Sequence, residues 1–264
     1  MELLRLPGRA FLYFLSYLGQ LAALMGDLAT AVRLGVWRLK LVAQQLVAIG
    51  YGSQTVVIVT GAFTGAVFTA QTYFKFKDFG VESGVGAMVS IAMCRELGPV
   101  LAGLMVAGRV GASMAADIGT MKVTEQIDAL RAMAVHPVDY LVLPRFIAML
   151  ISMPLLIAES ITFGLLASHC VAVYGFGIPV RWFWDHVFEH TNETDLYCGM
   201  SKGFVFGILI TLISCHQGLS AKDGAVGVGI GTTRAVVYSS LALLICNFFL
   251  SLLLNYIFPM GTES

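Results

Sequence analysis

The sequence predicts an all-α polytopic membrane protein, and three observations carry this prediction. Hydrophobic residues make up 58% of the 264 residues and charged residues only 12%, against about 45–50% and about 25% in soluble domains. Several stretches without charge reach the length of about 20 residues that a membrane-spanning helix requires. Sixteen basic residues balance sixteen acidic ones, and this zero net charge argues against a nucleic-acid partner.

The first region, residues 1–45, is predicted to be an interfacial amphipathic helix. Its polar residues recur at helical spacing on one stripe, and the other faces are apolar; the stripe comprises Arg5, Arg9, Ser16, Gln20 and Asp27. A cleaved signal peptide is the alternative, because a basic start and an apolar run precede an Ala-Thr-Ala site at 29–31.

The second region, residues 46–264, is predicted to contain five spans with no dividing linker. They are placed near 50–74, 85–107, 146–176, 196–217 and 235–258. The first contains Gly61-x-x-x-Gly65, a small-residue spacing suited to close helix packing. Basic residues favour the cytoplasmic side of a membrane. Here they concentrate in three places: before the first span, between spans two and three, and between spans four and five. We therefore expect a cytoplasmic N-terminus and an external C-terminus.

The second span contains two adjacent charges, Arg95 and Glu96, followed by Pro99. A charged residue at the centre of a membrane helix costs about 2.5 kcal/mol or more on insertion scales. Such residues usually face a cavity or a partner, so this pair is predicted to mark a functional site. The alternative is a structural ion pair packed on a neighbouring subunit, with the proline only kinking the helix.

The segment 109–145 is predicted to be a cytoplasmic coupling segment. It is compatible with helix, with Thr120 or Thr124 as candidate N-caps and an amphipathic turn over 125–130. Such a segment suits docking of a soluble partner, although a solvated connecting helix would have the same composition. A glycine-rich stretch at 227–231 is predicted to be a flexible loop. The chain has no Gly-Lys pair and so no Walker A loop; ATP, if used, binds another chain.

One motif has a different chemistry. His186, Glu189 and His190 match the H-x-x-E-H pattern of a metallopeptidase class. The match lies in a predicted external loop and no distal ligand is apparent, so no metal site is predicted and an intramembrane hydrolase is the weaker hypothesis. Another hypothesis is an ion-coupled secondary transporter that uses Glu96, Glu159 and His169, the intramembrane ionisable residues.

Four runs of sequence together resemble the MlaE-type permease family over about residues 40–258. They are RELGPVLAGLMVAGRVGA at 95–112, ADIGTMKVTEQIDAL at 116–130, MAVHP at 133–137 and TTRAVVYSSLA at 232–242. The resemblance implies a lipid-transporting ABC permease, not an enzyme, in the bacterial inner membrane. It implies no cofactor in this chain, a second permease copy in a homodimer, a cytoplasmic ABC ATPase that binds ATP, a periplasmic MCE-domain protein, a small STAS-like cytoplasmic subunit and phospholipid as substrate.

The resemblance also implies roles for particular residues. Arg95 and Glu96 match the charged pair beside the family's lipid cavity, where the arginine could pair a phosphate and the glutamate an amine. The expected acyl-chain path is lined by Leu97, Tyr73 and Phe79, and the expected ATPase contacts are Glu125, Gln126, Asp128 and Leu130. Two residues depart from the family pattern, Glu159 in the third span and Asn247, where the family often has Asp.

Overall fold

The computed structural model describes residues 5–33 and 38–258, and within these ranges the chain is helical with no strand. The predicted regions at 1–45 and 46–264 therefore each include residues outside the described ones. We number the helices of the described chain in order: α1 Arg5–Arg33, α2 Leu39–Phe79, α3 Val85–Val123, α4 Gln126–Ala132, α5 Val138–Gly175, α6 Val180–His190, α7 Glu193–Leu219 and α8 Gly224–Ile257.

Six of the described helices are long and apolar enough to cross a membrane: α2, α3, α5, α7, α8 and the Leu15–Arg33 part of α1. The prediction of an all-α polytopic membrane protein is thus confirmed. Length and composition do not separate a spanning helix from one that lies in the interface, so the interfacial position of α1 stays a prediction. The cytoplasmic N-terminus stays a prediction as well.

The membrane helices are longer than the sequence indicated. The 39 residues of α3 correspond to about 58 Å at 1.5 Å per residue, about twice the hydrocarbon thickness of about 30 Å. The end predicted at residue 107 lies inside this helix, because the Gly- and Ala-rich residues 107–119 continue it to Val123. Only part of the segment 109–145 is a separate element, the short helix α4.

Three of the long helices contain π-helical turns, which insert an extra residue into the helix and often accompany functional sites. These wide turns are Val47–Tyr51 in α2, Met93–Leu97 and Ala107–Gly111 in α3, and Val138–Val142 and Val171–Gly175 in α5. The first wide turn of α3 contains the Arg95–Glu96 pair, and the second contains Arg109.

Helix α5 lies at the centre of the bundle, packed against α2 on one side and α7 on the other. On the α2 side, a Cβ atom added at Gly61 or Gly65 would collide with the backbone of Ser160 or Gly164. The glycine pair therefore makes the close helix contact that its spacing predicts. Apolar side chains such as Met149, fully buried on α5, complete the core.

Helix α1 packs against α5 and α7 through Leu24, Leu28 and Ala31, which are all buried. Ala31 belongs to the cleavage site that a signal peptide would need, and it is inaccessible here. Retention of this helix stays a prediction. The apolar residues Leu15, Leu18 and Met25 on other faces of α1 are exposed, as expected for a helix in contact with lipid.

Two local predictions are wrong. The glycine-rich stretch 227–231 is the first part of α8, not a loop. Gly227 allows α8 to pack closely after a tight turn at Asp223 and Gly224, because a Cβ at Gly227 would overlap the carbonyl of Lys222. Neither threonine is an N-cap, because Thr120 lies within α3 and Thr124 ends it, donating its hydroxyl to the Thr120 carbonyl at 2.8 Å.

Candidate functional site: a polar cluster inside the bundle

The Arg95–Glu96 pair lies in the wide turn of α3, where it faces α7 and the C-terminal part of α8. Arg95 is buried, with 6% of its surface exposed. Its Nε donates to a carboxylate oxygen of Asp195 on α7. Its Nη1 donates to Oδ1 of Asn255 on α8 at 2.6 Å, and both terminal nitrogens lie 3.4 Å from the carbonyl oxygen of Phe258. The guanidinium is therefore already bound by protein groups.

Lys202 on α7 is the second buried cation, with 1% of its surface exposed. Its Nζ donates to the carbonyl of Arg95 at 2.6 Å, to Oε1 of Glu96 at 2.9 Å and to Oγ of Ser251 at 2.8 Å. The other oxygen of Glu96 accepts from Nδ2 of Asn247 at 3.0 Å. All three Nζ protons thus have partners, which is the condition for burying an ammonium group at modest cost.

These residues form what we call the charged cluster, defined as Arg95, Glu96, Asp195 and Lys202 with the α8 residues Asn247, Ser251 and Asn255. Two cations and two anions make it neutral at ordinary ionisation. The two adjacent charges on α3 each pair with an opposite charge on α7, Arg95 with Asp195 and Glu96 with Lys202. These ion pairs join the two helices. Side chains of α8 supply further partners, since Asn255 accepts from Arg95, Ser251 accepts from Lys202 and Asn247 donates to Glu96.

Exposure distinguishes one member of the charged cluster from the others. The side chains of Arg95, Asp195 and Lys202 are at most 7% exposed, whereas that of Glu96 is 43% exposed. The adjoining cavity measures about 10 Å³, close to the minimum for a single water molecule. A ligand therefore does not fit inside the cluster of one chain, but it can reach the carboxylate of Glu96 from outside.

The residues expected to line an acyl-chain path lie in two kinds of environment. Tyr73 is buried and stacks on Phe176 with ring centroids 4.1 Å apart, and Leu97 packs against the same apolar cluster. Phe79, the last residue of α2, is 79% exposed and is not a member of that cluster. The structure thus brings Leu97 and Tyr73 together and leaves Phe79 apart.

The residues expected to contact an ATPase lie on α4 and the turn before it. Glu125, Gln126 and Asp128 are exposed, whereas Leu130 is half-buried. Ile127, fully buried in the cluster that contains α1 residues, anchors the helix. Asp128 makes ion pairs with Lys122 at 3.3 Å and Arg131 at 3.4 Å. A short helix that is anchored by a buried side chain and exposes a polar face is suited to docking.

The residues of the competing hypotheses do not meet. Within the described chain, no hydrogen bond or ion pair joins Glu96, Glu159 and His169. His169 packs on the rings of Phe183 and Trp184, each at 5.4 Å between centroids. His186 and His190 stack on one face of α6, yet residues 5–33 and 38–258 contain no group of three His, Cys, Asp or Glu side chains placed to hold a metal ion.

Sequence reasoning missed half of the charged cluster. Neither Asp195 nor Lys202 is singled out by the sequence, and both lie buried on α7. One signal could have placed Asp195 on a helix. Asn192 and Asp195 form a capping box, in which the backbone N–H of Asn192 donates to Oδ2 of Asp195 at 3.0 Å.

The fold and the charged cluster define a class: a helical membrane protein with a neutral, hydrogen-bonded ionic site between its spans. The match at residues 42–253 is to the family described as Permease MlaE. The chain belongs to this family.

Named relatives agree with this membership. A Rickettsia conorii protein named "Probable ABC transporter permease protein RC0129" is 45% identical over 213 residues, covering 81% of this chain and 82% of its own length. A Synechocystis protein, "Probable ABC transporter permease protein slr1045", is 40% identical over 211 residues, 80% of each chain. "Protein TRIGALACTOSYLDIACYLGLYCEROL 1, chloroplastic" from Arabidopsis thaliana is 38% identical over 215 residues, 81% of this chain and 61% of its own. The chain is therefore similar throughout its spanning region to ABC transporter permeases.

Proposed function

We propose that this chain is the permease subunit of an ABC transporter that moves phospholipids between the inner and outer membranes of a bacterium. The single observation that carries the proposal is the charged cluster. It holds a half-exposed carboxylate, Glu96, at a depth where only a polar or charged ligand would interact favourably with it. A phospholipid supplies such a headgroup together with chains for the apolar surroundings. The Arabidopsis relative, whose name contains that of a glycerolipid, supports the lipid class.

In this proposal ATP is bound and hydrolysed by a separate cytoplasmic subunit, and no cofactor resides in this chain. The exposed face of α4 is the docking surface for that subunit. The charged cluster of one chain leaves room for about one water molecule, so a lipid does not fit there. The second permease copy completes the lipid cavity. A periplasmic MCE-domain protein continues the path, and a small STAS-like subunit belongs to the cytoplasmic side.

The geometry of the charged cluster supports a particular role for each residue in this proposal. Glu96 interacts with the amine of the lipid, because its carboxylate is the accessible one. Arg95 holds Asp195, and a phosphate could pair with it only by displacing that carboxylate. Leu97 and Tyr73 contact acyl chains from one apolar cluster. Phe79, exposed at the end of α2, contacts the chains from outside that cluster.

The experiment is to purify the chain with its native partners, identify co-purifying proteins and lipids by mass spectrometry, and measure ATP-dependent transfer of labelled phospholipid in proteoliposomes. Glu96→Gln should lower transfer about 10- to 100-fold, the loss expected for one charge-assisted hydrogen bond of about 1.5–3 kcal/mol. Glu193→Gln, an exposed carboxylate on α7, is the control and should transfer normally.

Normal transfer by the Glu96→Gln variant would remove this carboxylate from the mechanism and leave the transport of phospholipid standing. The proposed function itself is refuted by a chain that purifies without ATPase or lipid and whose transport collapses with an uncoupler but persists without ATP. That result would establish the ion-coupled transporter instead.

A further inference from the structure

A second polar cavity lies between α2 and α3, separate from the charged cluster. It measures about 290 Å³, near the lower end of the volumes typical of ligand pockets. Its polar lining consists of Gln45, Arg109, Ser113 and Asp117, and its remaining walls are apolar. Wide turns of both helices border it, Val47–Tyr51 on α2 and Ala107–Gly111 on α3.

Arg109 is positioned in this cavity by α2. Its Nη1 donates to Oγ of Ser53 at 2.9 Å, and Ser53 is 1% exposed. A Cβ atom added at Gly52 would lie 2.7 Å from Nη2, so the missing side chain lets the guanidinium lie against the helix backbone. Of its five N–H donors, only one has a hydrogen-bond partner in the part of the chain that the structure describes. The others are available to a ligand.

The depth of Arg109 differs from that of the charged cluster. Arg109 follows Val85, the first residue of α3, by 24 residues, or about 36 Å, whereas Arg95 follows it by about 15 Å. If the hydrocarbon core, about 30 Å thick, begins at Val85, Arg95 lies near the middle of the membrane. Arg109 then lies at the level of the lipid headgroups, on the side of the membrane where α4 lies.

The charges that line the cavity match a zwitterion. Arg109 contributes a positive charge and Asp117 a negative one, eight residues later on the same helix. One oxygen of Asp117 lies 3.7 Å from Nη2 of Arg145, and the Asp117 side chain is 60% exposed. A guanidinium binds a phosphate with two parallel hydrogen bonds, and a carboxylate binds an amine. A headgroup with both groups carries charges complementary to those of Arg109 and Asp117.

We infer that this cavity binds the zwitterionic headgroup of a phospholipid from the leaflet beside α4, with the phosphate on Arg109 and the amine toward Asp117. The inference rests on the proposed function and adds to it a separate headgroup site, about 21 Å along α3 from Arg95. A soluble phosphate ester of ethanolamine has the same chemistry, so the test must separate the two sources.

The experiment places the photo-crosslinking residue benzoylphenylalanine at Gln45, in this cavity, or at Leu254, beside the charged cluster. The transporter complex is reconstituted in nanodiscs with equal phosphatidylethanolamine and phosphatidylglycerol, and crosslinked lipids are identified by mass spectrometry. The reporter at position 45 should capture mainly phosphatidylethanolamine. Arg109→Gln should lower this capture about tenfold, as expected when a charge-assisted hydrogen-bonding group is lost, without changing capture at 254.

Two further variants control the interpretation. Arg234→Gln removes an exposed basic residue of α8 outside the cavity and should leave both reporters unchanged. Gly52→Ala keeps the charge of Arg109 but pushes the guanidinium away from α2, so it should also lower capture at 45. It provides the same test if Arg109→Gln does not assemble, because the clash involves only the end of a flexible side chain.

The outcomes separate this inference from the proposed function. Capture at 254 but not at 45, equal capture of both lipids at 45, or unchanged capture in both cavity variants overturns the inference alone. Complete displacement by soluble glycerophosphoethanolamine assigns the cavity to a water-soluble ligand and overturns it as well. Absence of phospholipid at both positions overturns the proposed function together with the inference.

Discussion

Replacing Asp195 by Asn isolates the contribution of the buried ion pair between α3 and α7. The carboxylate uses both oxygens, one for Nε of Arg95 and one for the backbone N–H of Asn192 at the start of α7. The amide has one acceptor oxygen, so one of these two bonds must be lost. In addition, the positive charge of Arg95 remains buried without its counter-charge.

The expected loss of stability is about 3–5 kcal/mol, the cost of removing one partner of a buried ion pair. Glu193→Gln is the matched control, because it makes the same chemical change in the same turn of α7 at an exposed position. Its cost is limited to about 0.3–1 kcal/mol from the helix dipole. Unfolding of both variants in mixed micelles, followed by tryptophan fluorescence, gives the two values.

A double variant tests the cause of the loss. Adding Arg95→Gln to Asp195→Asn removes the uncompensated charge, so the double variant should be more stable than Asp195→Asn alone. Equal losses for Asp195→Asn and Glu193→Gln would refute the assignment of a buried pair. A double variant in which the separate losses simply add would refute the coupling between the two residues.

Two further predictions concern helix packing and partner binding. Gly65→Ala should destabilise the protein by about 1–3 kcal/mol because the added methyl group overlaps the α5 backbone. Gly229→Ala is the control, at a position open to solvent or lipid, and should leave the stability unchanged or slightly higher. Equal thermal stabilities of the two variants in detergent would contradict the close contact. Combining Glu125→Asn with Gln126→Ala should reduce co-purification of the ATPase about tenfold or more if these residues form part of a binding hot spot, since Asn tolerates the left-handed backbone at position 125 (φ 61°). Undiminished co-purification, with both chains correctly folded, would show that the docking surface lies elsewhere.

The fold class was predictable because it depends on composition and on the length of apolar runs. The Gly61–Gly65 spacing likewise predicted a close contact, since small residues at that interval have few other uses in a membrane helix. Helix ends were less predictable. Nothing in the residues after 107 stops α3. The glycines at 227–231 suggest a loop, because the packing role of Gly227 becomes apparent only when Lys222 lies beside it.

The candidate site was only half predictable, for a physical reason. Arg95 and Glu96 are conspicuous because they are adjacent and interrupt an apolar run. Asp195 and Lys202 stand near the polar start of a helix, where charged residues are ordinary, and only the three-dimensional contact with α3 makes them buried. The depth of Arg109 was hidden in the same way, because the sequence does not show how far a helix continues beyond the membrane.

The neutrality of the charged cluster has a consequence for how the membrane potential acts on this protein. A potential does work of about 2.3 kcal/mol per 100 mV on each elementary charge that crosses the membrane. The two positive and two negative side chains of the cluster, moving together along the membrane normal, carry no net charge. The potential therefore does no net work on such a movement, and neither favours nor opposes it at any voltage.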